Sequence, residues 1–276
     1  MKLYISDLDG TLLNEHKKIS IHSKNLINDA IKFGANFSIA TARTPGTIVN
    51  ILDGINISIP VVIMNGAAIY NIKLNNYIHY TLLDNSIIDK LVYSINKHNI
   101  KAFIYTIKDN FLYVYYDDLS LSFQLEFFNA RKDSKYKKFI KSSLPENSNV
   151  LYFTMMDYKS KIDSLYNEIK DIPNISIAKY RDVYNDKVYI LEIYDASCSK
   201  ANAINYLKYK YKFDKIICFG DNSNDIPMFE ISDESYAVEN SVDELKKKAT
   251  KIIGSNNSDS VAKYIYKDIK KTLAKS

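Results

Sequence analysis

The chain has 276 residues, 46% of them hydrophobic and 25% charged, which suits a globular protein with room for two apolar cores. No stretch approaches the ~18 consecutive apolar residues of a membrane span, and the N-terminus lacks the basic and apolar regions of a secretory signal, so a cytoplasmic location without membrane partners is expected. The net charge of +5 invites a nucleic-acid reading, but the lysines are scattered among Asn, Ile and Tyr with no arginine-rich stripe; no nucleic-acid partner is expected, and the mild positive balance favours small anionic substrates.

Residues 1–6 predict a strand that runs directly into Asp7-Leu8-Asp9-Gly10-Thr11. Carboxylates at i and i+2 point to the same side of a strand and repel. Gly10 lets the chain leave the sheet after Asp9, and a divalent cation, which favours hard oxygen ligands, is the natural occupant between two such acids. A polar loop through Asn14–Lys18 precedes a helix from Ser20 to Phe33 stopped by Gly34. Asn36–Ala40 predicts the next strand, ending in Thr41-Ala42-Arg43, and Thr47–Leu52 predicts a helix behind Pro45. A third strand, Val61–Met64, delivers Asn65-Gly66-Ala67. Strand and helix in alternation predict an α/β fold with a doubly wound parallel sheet, whose site lies at the carboxyl ends of the strands.

From about Tyr80 the pattern changes. A helix over Asn85–Lys97 is followed by hairpin strands at Ala102–Ile107 and Phe111–Tyr116 around Lys108-Asp109-Asn110. A strand at Leu151–Met156, a helix at Tyr158–Lys170 and strands at Ile175–Tyr180 and Lys187–Ile193 complete an antiparallel α+β segment. The expected division is a Rossmann-like core of residues 1–80 and 187–276, with residues 81–186 inserted as a second domain. The tyrosines of 113–116 read as a strand face. The doubly wound rhythm resumes at Ser199 with a helix, then the apolar strand Lys215–Phe219, Gly220-Asp221, another helix, a strand at Tyr236–Val238 and a final helix from Asp259. Cys218 lies within that apolar strand and reads as a core residue; with only Cys198 besides, a disulfide framework is excluded.

Three further segments stand where an anion site would form. A hydroxyl and backbone N–H after the second strand, at Thr41 and Ala42, can hold a phosphate oxygen. Lys200 follows Ser199, a helix N-cap candidate, so an ammonium and a helix N-terminus lie together. The run from Gly220 to Met228 follows a buried strand and carries Asp221 and Asp225 around Asn224.

In this order the segments resemble the four motifs of the haloacid dehalogenase superfamily. Asn65-Gly66-Ala67, and Tyr236-Ala237-Val238 followed by Asn240, resemble its Cof-like (type IIB) branch of sugar-phosphatase-type hydrolases. The long interval between Thr41 and Lys200 puts the insertion after the second motif. The resemblance implies a magnesium-dependent phosphatase acting on small phosphomonoesters, such as sugar or cofactor phosphates, through an aspartyl-phosphate. It makes Asp7 the nucleophile and Asp9 the general acid and base. It assigns Mg2+ to the Asp7 carboxylate, the Asp9 main-chain carbonyl and Asp221, with Asp225 supporting them from behind. Thr41, Lys200 and Asn224, with backbone N–H groups near Leu8 and Ala42, would hold the phosphoryl oxygens. Arg43, Asn65 and Arg181 are candidates for substrate contact.

The inserted domain is expected to act as a substrate-specificity cap that closes on hinges near Tyr80–Asp84 and Asp186–Val188, and a monomer or weak dimer is expected. The chain departs from the family pattern at Ala201, where glycine is usual, at Ser260, where glycine often follows the aspartate, and at Glu239, where a small or neutral residue is common; these bear on loop geometry and substrate choice. Two alternatives are a phosphosugar mutase with the same nucleophile and a non-catalytic phospho-ligand-binding regulator. The intact Asp7, Asp9, Lys200 and Asp221 disfavour the regulator.

Overall fold

The computed structural model describes residues 1–182 and 185–274 and divides into two compact units, one made of residues 1–79 with 199 onward and the other of residues 80–198. The first unit opens with β1 (Lys2–Ser6), α1 (Ile21–Lys32), β2 (Asn36–Ile39), α2 (Pro45–Leu52), β3 (Val61–Ile63), β4 (Ala68–Asn71) and β5 (Asn76–Tyr80). Ser20 caps α1, its hydroxyl accepting from the Ser23 N–H, and the chain turns back after it through Gly34 at φ +94°. The second unit follows with α3 (Asn85–Lys97), β6 (Ala102–Lys108), β7 (Phe111–Tyr116), α4 (Ser122–Asn129), β8 (Lys137–Lys141), β9 (Val150–Tyr158), α5 (Lys159–Ile169), β10 (Ile175–Arg181) and β11 (Val188–Asp195). The first unit resumes with α6 (Lys200–Tyr211), β12 (Lys215–Gly220), α7 (Ile226–Glu230), β13 (Glu234–Val238), α8 (Asp243–Lys248), β14 (Lys251–Ile253) and α9 (Ser260–Leu273).

In the first unit the strands lie in the order β14-β13-β12-β1-β2, all parallel. A parallel bridge between Ala40 and Val62 brings β3 alongside β2, and β3, β4 and β5 form a short sheet of their own. A parallel strand is covered on both faces and so reads as a near-continuous apolar run. In β1, Leu3 and Ile5 belong to a core with Ile204 and Leu207 of α6, Met228 of α7 and Leu245 of α8. Tyr4, on the opposite face, is fully buried and donates its hydroxyl to Asp268 of α9 at 2.7 Å. The register then fixes where the polar segments emerge: Ser6 pairs with Phe219 on one side and Ile39 on the other. Asp7, Thr41 and Asp221 therefore leave neighbouring strands at the same end.

The second unit is a six-stranded sheet in the order β10-β11-β9-β6-β7-β8, antiparallel throughout except for the β7–β8 pair. Leu91 and Ile95 of α3 and Ile162, Leu165 and Ile169 of α5 cover Phe153, Met155, Leu191 and Ile193. The β6–β7 hairpin turns on Asp109 and Asn110, both at positive φ (50° and 61°), the backbone that a two-residue turn between twisted strands requires. One boundary differs from the sequence expectation. The chain returns to the first unit at Ser199, not at residue 187, because β11 pairs along its length with β9 and β10.

Candidate active site

Asp7 emerges from β1 with its N–H donating to the Phe219 carbonyl at 2.9 Å, which pins the strand end against β12. Its side chain is buried and its Oδ1 accepts from Lys200 Nζ at 2.6 Å. Lys200, the first residue of α6, is itself 2% exposed and donates a second bond of 2.6 Å to Asp225 Oδ1. Asp225 is fully buried, and its other oxygen accepts from the backbone N–H groups of Asp221 (2.9 Å) and Asn222 (3.1 Å). That carboxylate is thus occupied on both oxygens and braces the loop that carries Asp221. Asp221 in turn accepts from Thr11 Oγ1 at 2.8 Å, so the fifth residue of the opening motif reaches across to the fourth motif.

Close packing explains the glycines. A Cβ on Gly10, at φ +78°, would lie 2.4 Å from Asp221 Oδ2, and a Cβ on Gly66, at φ +94°, would lie 2.1 Å from the Ser199 carbonyl oxygen. Gly10 thereby lets the opening loop approach Asp221, and Gly66 lets the loop after β3 approach the start of α6. Asn240 fastens the same region by donating to the Gly10 carbonyl at 2.7 Å.

The electrostatics are those of buried anions short of cations. Asp7, Asp221 and Asp225 offer carboxylate oxygens within 4.8 Å of one another, with the Lys200 ammonium bonded to two of them. Burial drives the Asp7 carboxyl well above the ordinary carboxylate range; Lys200 opposes this, and the charges of Asp225 and Asp221 add to it. Burial also pushes Asp221 up to about 6, against the hydrogen bond from Thr11 and with the charge of Asp225. Burial pulls the Lys200 ammonium down, but Asp225 and Asp7 outweigh it and hold it above its ordinary value. The donor set fits a divalent cation: it is all oxygen, Asp225 is already bonded, and the Asp7 and Asp221 carboxylates retain coordinating capacity with too little positive charge nearby.

A pH dependence follows from Asp221. Its carboxyl is raised in the fold from 3.8 to about 6, so the native state holds a proton that the unfolded chain has already released. The stability this contributes is complete below the lower value and is lost as pH rises through the upper one. In chelated protein, urea midpoints for the wild type should fall relative to Asp221→Asn between about pH 4 and 6.5. A difference that stays flat over that window would contradict the assignment.

The remaining sequence candidates fall around this centre. Thr41 is buried, its Oγ1 accepting from the Arg43 N–H at 3.2 Å and its carbonyl from the Asn65 N–H at 3.1 Å. Ala42 is exposed and Leu8 buried. Asn224 is exposed on the short turn Ser223–Asp225. Asn65 sits at φ 54° with its buried Oδ1 lacking a hydrogen-bond partner among the described residues. Arg43 is turned onto Asp9, which it holds through two bonds of 2.7 and 2.6 Å. Arg181 lies at the end of β10, in the second unit. Of the departures, Ala201 is buried in the first turn of α6, Glu239 is exposed, and Ser260 donates its hydroxyl to the Ser255 carbonyl at 2.9 Å. The Thr11 and Arg43 contacts were not readable from the sequence; the position of Thr11 inside the opening motif was the only signal for the first.

A family model described as haloacid dehalogenase-like hydrolase matches residues 4–265. The chain belongs to that family. This haloacid dehalogenase-like hydrolase is 28% identical over 284 residues to the 5-amino-6-(5-phospho-D-ribitylamino)uracil phosphatase YwtE of Bacillus subtilis (strain 168), covering 96% of this chain and 97% of the relative. Among solved structures, a haloacid dehalogenase-like hydrolase from Bacteroides thetaiotaomicron superposes with a TM-score of 0.78 at 20% identity, over 97% of this chain and 99% of the other. The subclass IIB sugar phosphatase BT4131 gives 0.74 at 17% identity, over 98% and 100%. At such identities the structures speak to fold, and the fold they share with this hydrolase is the parallel-sheet core with a separate sheet domain of the Cof-like branch. Among the described residues no helix is long and apolar enough to cross a membrane.

Proposed function

We propose that the chain is a magnesium-dependent phosphatase that hydrolyses small phosphomonoesters, sugar or cofactor phosphates, through an aspartyl-phosphate on Asp7. The observation that carries this is Asp7 itself: a buried carboxylate at a strand end, held by the buried Lys200 within a three-carboxylate group. A structural ion pair would leave Asp7 and Lys200 balanced; here a third and a fourth charged group, Asp225 and Asp221, are added at the same strand ends.

Asp7 would attack phosphorus while the ester oxygen departs, so that one difficult displacement becomes two easier ones. Lys200 keeps Asp7 oriented and lowers the repulsion between its carboxylate and an approaching phosphate dianion. Asp9 would give a proton to the departing ester oxygen and later take one from the hydrolytic water, each transfer contributing on the order of 10² to 10⁴ in rate. Thr41, Ala42 and Asn224, with the backbone at Leu8, are assigned to the phosphoryl oxygens. Asn65, with its unpaired buried carbonyl oxygen, is assigned to the leaving group. Bound magnesium, held by the Asp7 carboxylate, the Asp9 main-chain carbonyl and Asp221, would supply positive charge beside the transferred phosphoryl group. Residues 80–198 are assigned the choice of leaving group.

Release of inorganic phosphate from a panel of phosphorylated metabolites tests the proposal. The panel should contain hexose phosphates, cofactor phosphates, a 5-phosphoribityl compound of the kind named for the Bacillus relative, and a phosphopeptide, which should be the poorest. Isomerised ester without released phosphate would favour a mutase, and binding without turnover a regulator. Exhaustive chelation should abolish release, magnesium should restore it, and calcium should not, because its larger and looser coordination spoils in-line geometry. Full activity after chelation would remove the metal from the account.

A further inference from the structure

We infer that Arg43 is the positioning residue for Asp9, holding the carboxylate that serves the leaving group in one orientation; this rests on the phosphatase reading above. Arg43 Nε donates to Asp9 Oδ2 at 2.7 Å, and Nη2 donates to Asp9 Oδ1 at 2.6 Å. The contact is the two-point fit of a planar guanidinium to a carboxylate, which fixes direction as well as distance.

The two partners differ in how firmly they are held. Arg43 stands on a braced loop: its N–H donates to Thr41 Oγ1 at 3.2 Å, and its carbonyl accepts from the Met64 N–H at 3.0 Å. Asp9 lies in a bend, at φ −73° and ψ 119°, just before Gly10 at positive φ, and its side chain is 52% exposed. It also stands outside the group formed by Asp7, Asp221 and Asp225, each of which is oriented by partners of its own. An ion pair this exposed adds little to stability. What the clamp does supply is direction, and a carboxylate that must meet a leaving oxygen within hydrogen-bond reach depends on direction.

In the first half-reaction the bond from phosphorus to the ester oxygen breaks as Asp7 bonds to phosphorus. The Asp9 proton passes to that oxygen, so a neutral alcohol leaves and Asp9 remains as a carboxylate between the two guanidinium N–H groups. In the second, a water oxygen bonds to phosphorus as the bond to Asp7 breaks, and Asp9 takes the water's proton. Removing Arg43 leaves both transfers chemically possible but frees the donor to rotate.

The test is a double-variant cycle on a sugar phosphate, with p-nitrophenyl phosphate as the contrasting ester, because p-nitrophenolate departs without a proton. Arg43→Ala should lower kcat on the sugar phosphate by about 10-fold or more with little change in KM. Arg43→Lys, a single-point cation, should recover only part of the loss. The variant Asp9→Asn with Arg43→Ala should be no slower than Asp9→Asn alone. On p-nitrophenyl phosphate the first-turnover burst of Arg43→Ala should stay close to wild type while steady turnover falls. In a crystal structure of Arg43→Ala, Asp9 should occupy other rotamers. Losses that multiply in the double variant, or a raised KM with unchanged kcat on both esters, would mean that Arg43 acts on substrate directly and would overturn the inference alone; so would an Asp9 unmoved in the crystal. A wild type that releases no phosphate from any ester would overturn the phosphatase reading and this inference with it.

Discussion

Asp7→Asn should fold normally and turn over phosphomonoesters at less than about 10⁻³ of the wild-type rate. The amide keeps the volume and can still accept from Lys200 Nζ, now 2.6 Å from Asp7 Oδ1, but it offers no anionic oxygen to phosphorus. It also removes a buried carboxylate that the charges of Asp225 and Asp221 disfavour, while Lys200 keeps its bond to Asp225, so little loss of stability is expected. Asp9→Asn should cost at least about 10² on an ester with a poor leaving group. Steady-state assays on protein checked by circular dichroism decide both. Retention of more than a few per cent of activity by Asp7→Asn would exclude covalent catalysis at this residue.

Lys200→Met should be the most destabilising single substitution at the site. Lys200 is 2% exposed and bonds to both Asp7 and Asp225, which are themselves 6% and 0% exposed. Removing it strands two carboxylates in the interior, and breaking a buried ion pair from one side typically costs about 3 to 5 kcal/mol. Urea unfolding of the chelated protein near neutral pH measures this, and phosphate release should be lost in parallel. Adding Asp225→Asn to Lys200→Met should recover part of the stability, because one stranded charge disappears while its bonds from the Asp221 and Asn222 N–H groups persist. A cost below about 1 kcal/mol for Lys200→Met would mean that the pair is already screened by solvent, contrary to its burial.

Much of the first unit was legible because its signals are local. A strand that ends on Asp7-Leu8-Asp9-Gly10-Thr11, a helix that opens at Ser199-Lys200 and a buried strand that delivers Gly220-Asp221 each announce a position, and parallel topology brings such ends together. Side-chain pairings across the site were not legible. Thr11 meets Asp221 across 210 positions of sequence and Arg43 meets Asp9 across 34, and nothing in the order of residues specifies such long-range geometry.

The second unit was harder for the same reason. Lys137–Lys141 carries three lysines in five residues and is not among the predicted strands, yet it forms β8, in parallel with β7, and Lys137 is buried with its ammonium 5.5 Å from the ring centres of Tyr105 and Phe139. The hairpin of β4 and β5 is short and rich in asparagine, which favours turns, and it went unpredicted. The strand Lys187–Ile193 reads as part of the antiparallel segment, but the expected boundary at residue 187 divides it from its partners; pairing of β11 with β9 and β10, which no local pattern encodes, keeps it in the second unit.

The most direct test of the central claim is to trap the phosphoryl group. Protein quenched in acid during turnover of a sugar phosphate, then digested and analysed by mass spectrometry, should carry a phosphoryl adduct on the peptide containing Asp7. The adduct should be removed by hydroxylamine, as an acyl phosphate is, and should be absent from Asp7→Asn. An adduct on another residue, or phosphate released steadily while the Asp7 peptide is never modified, would contradict the account.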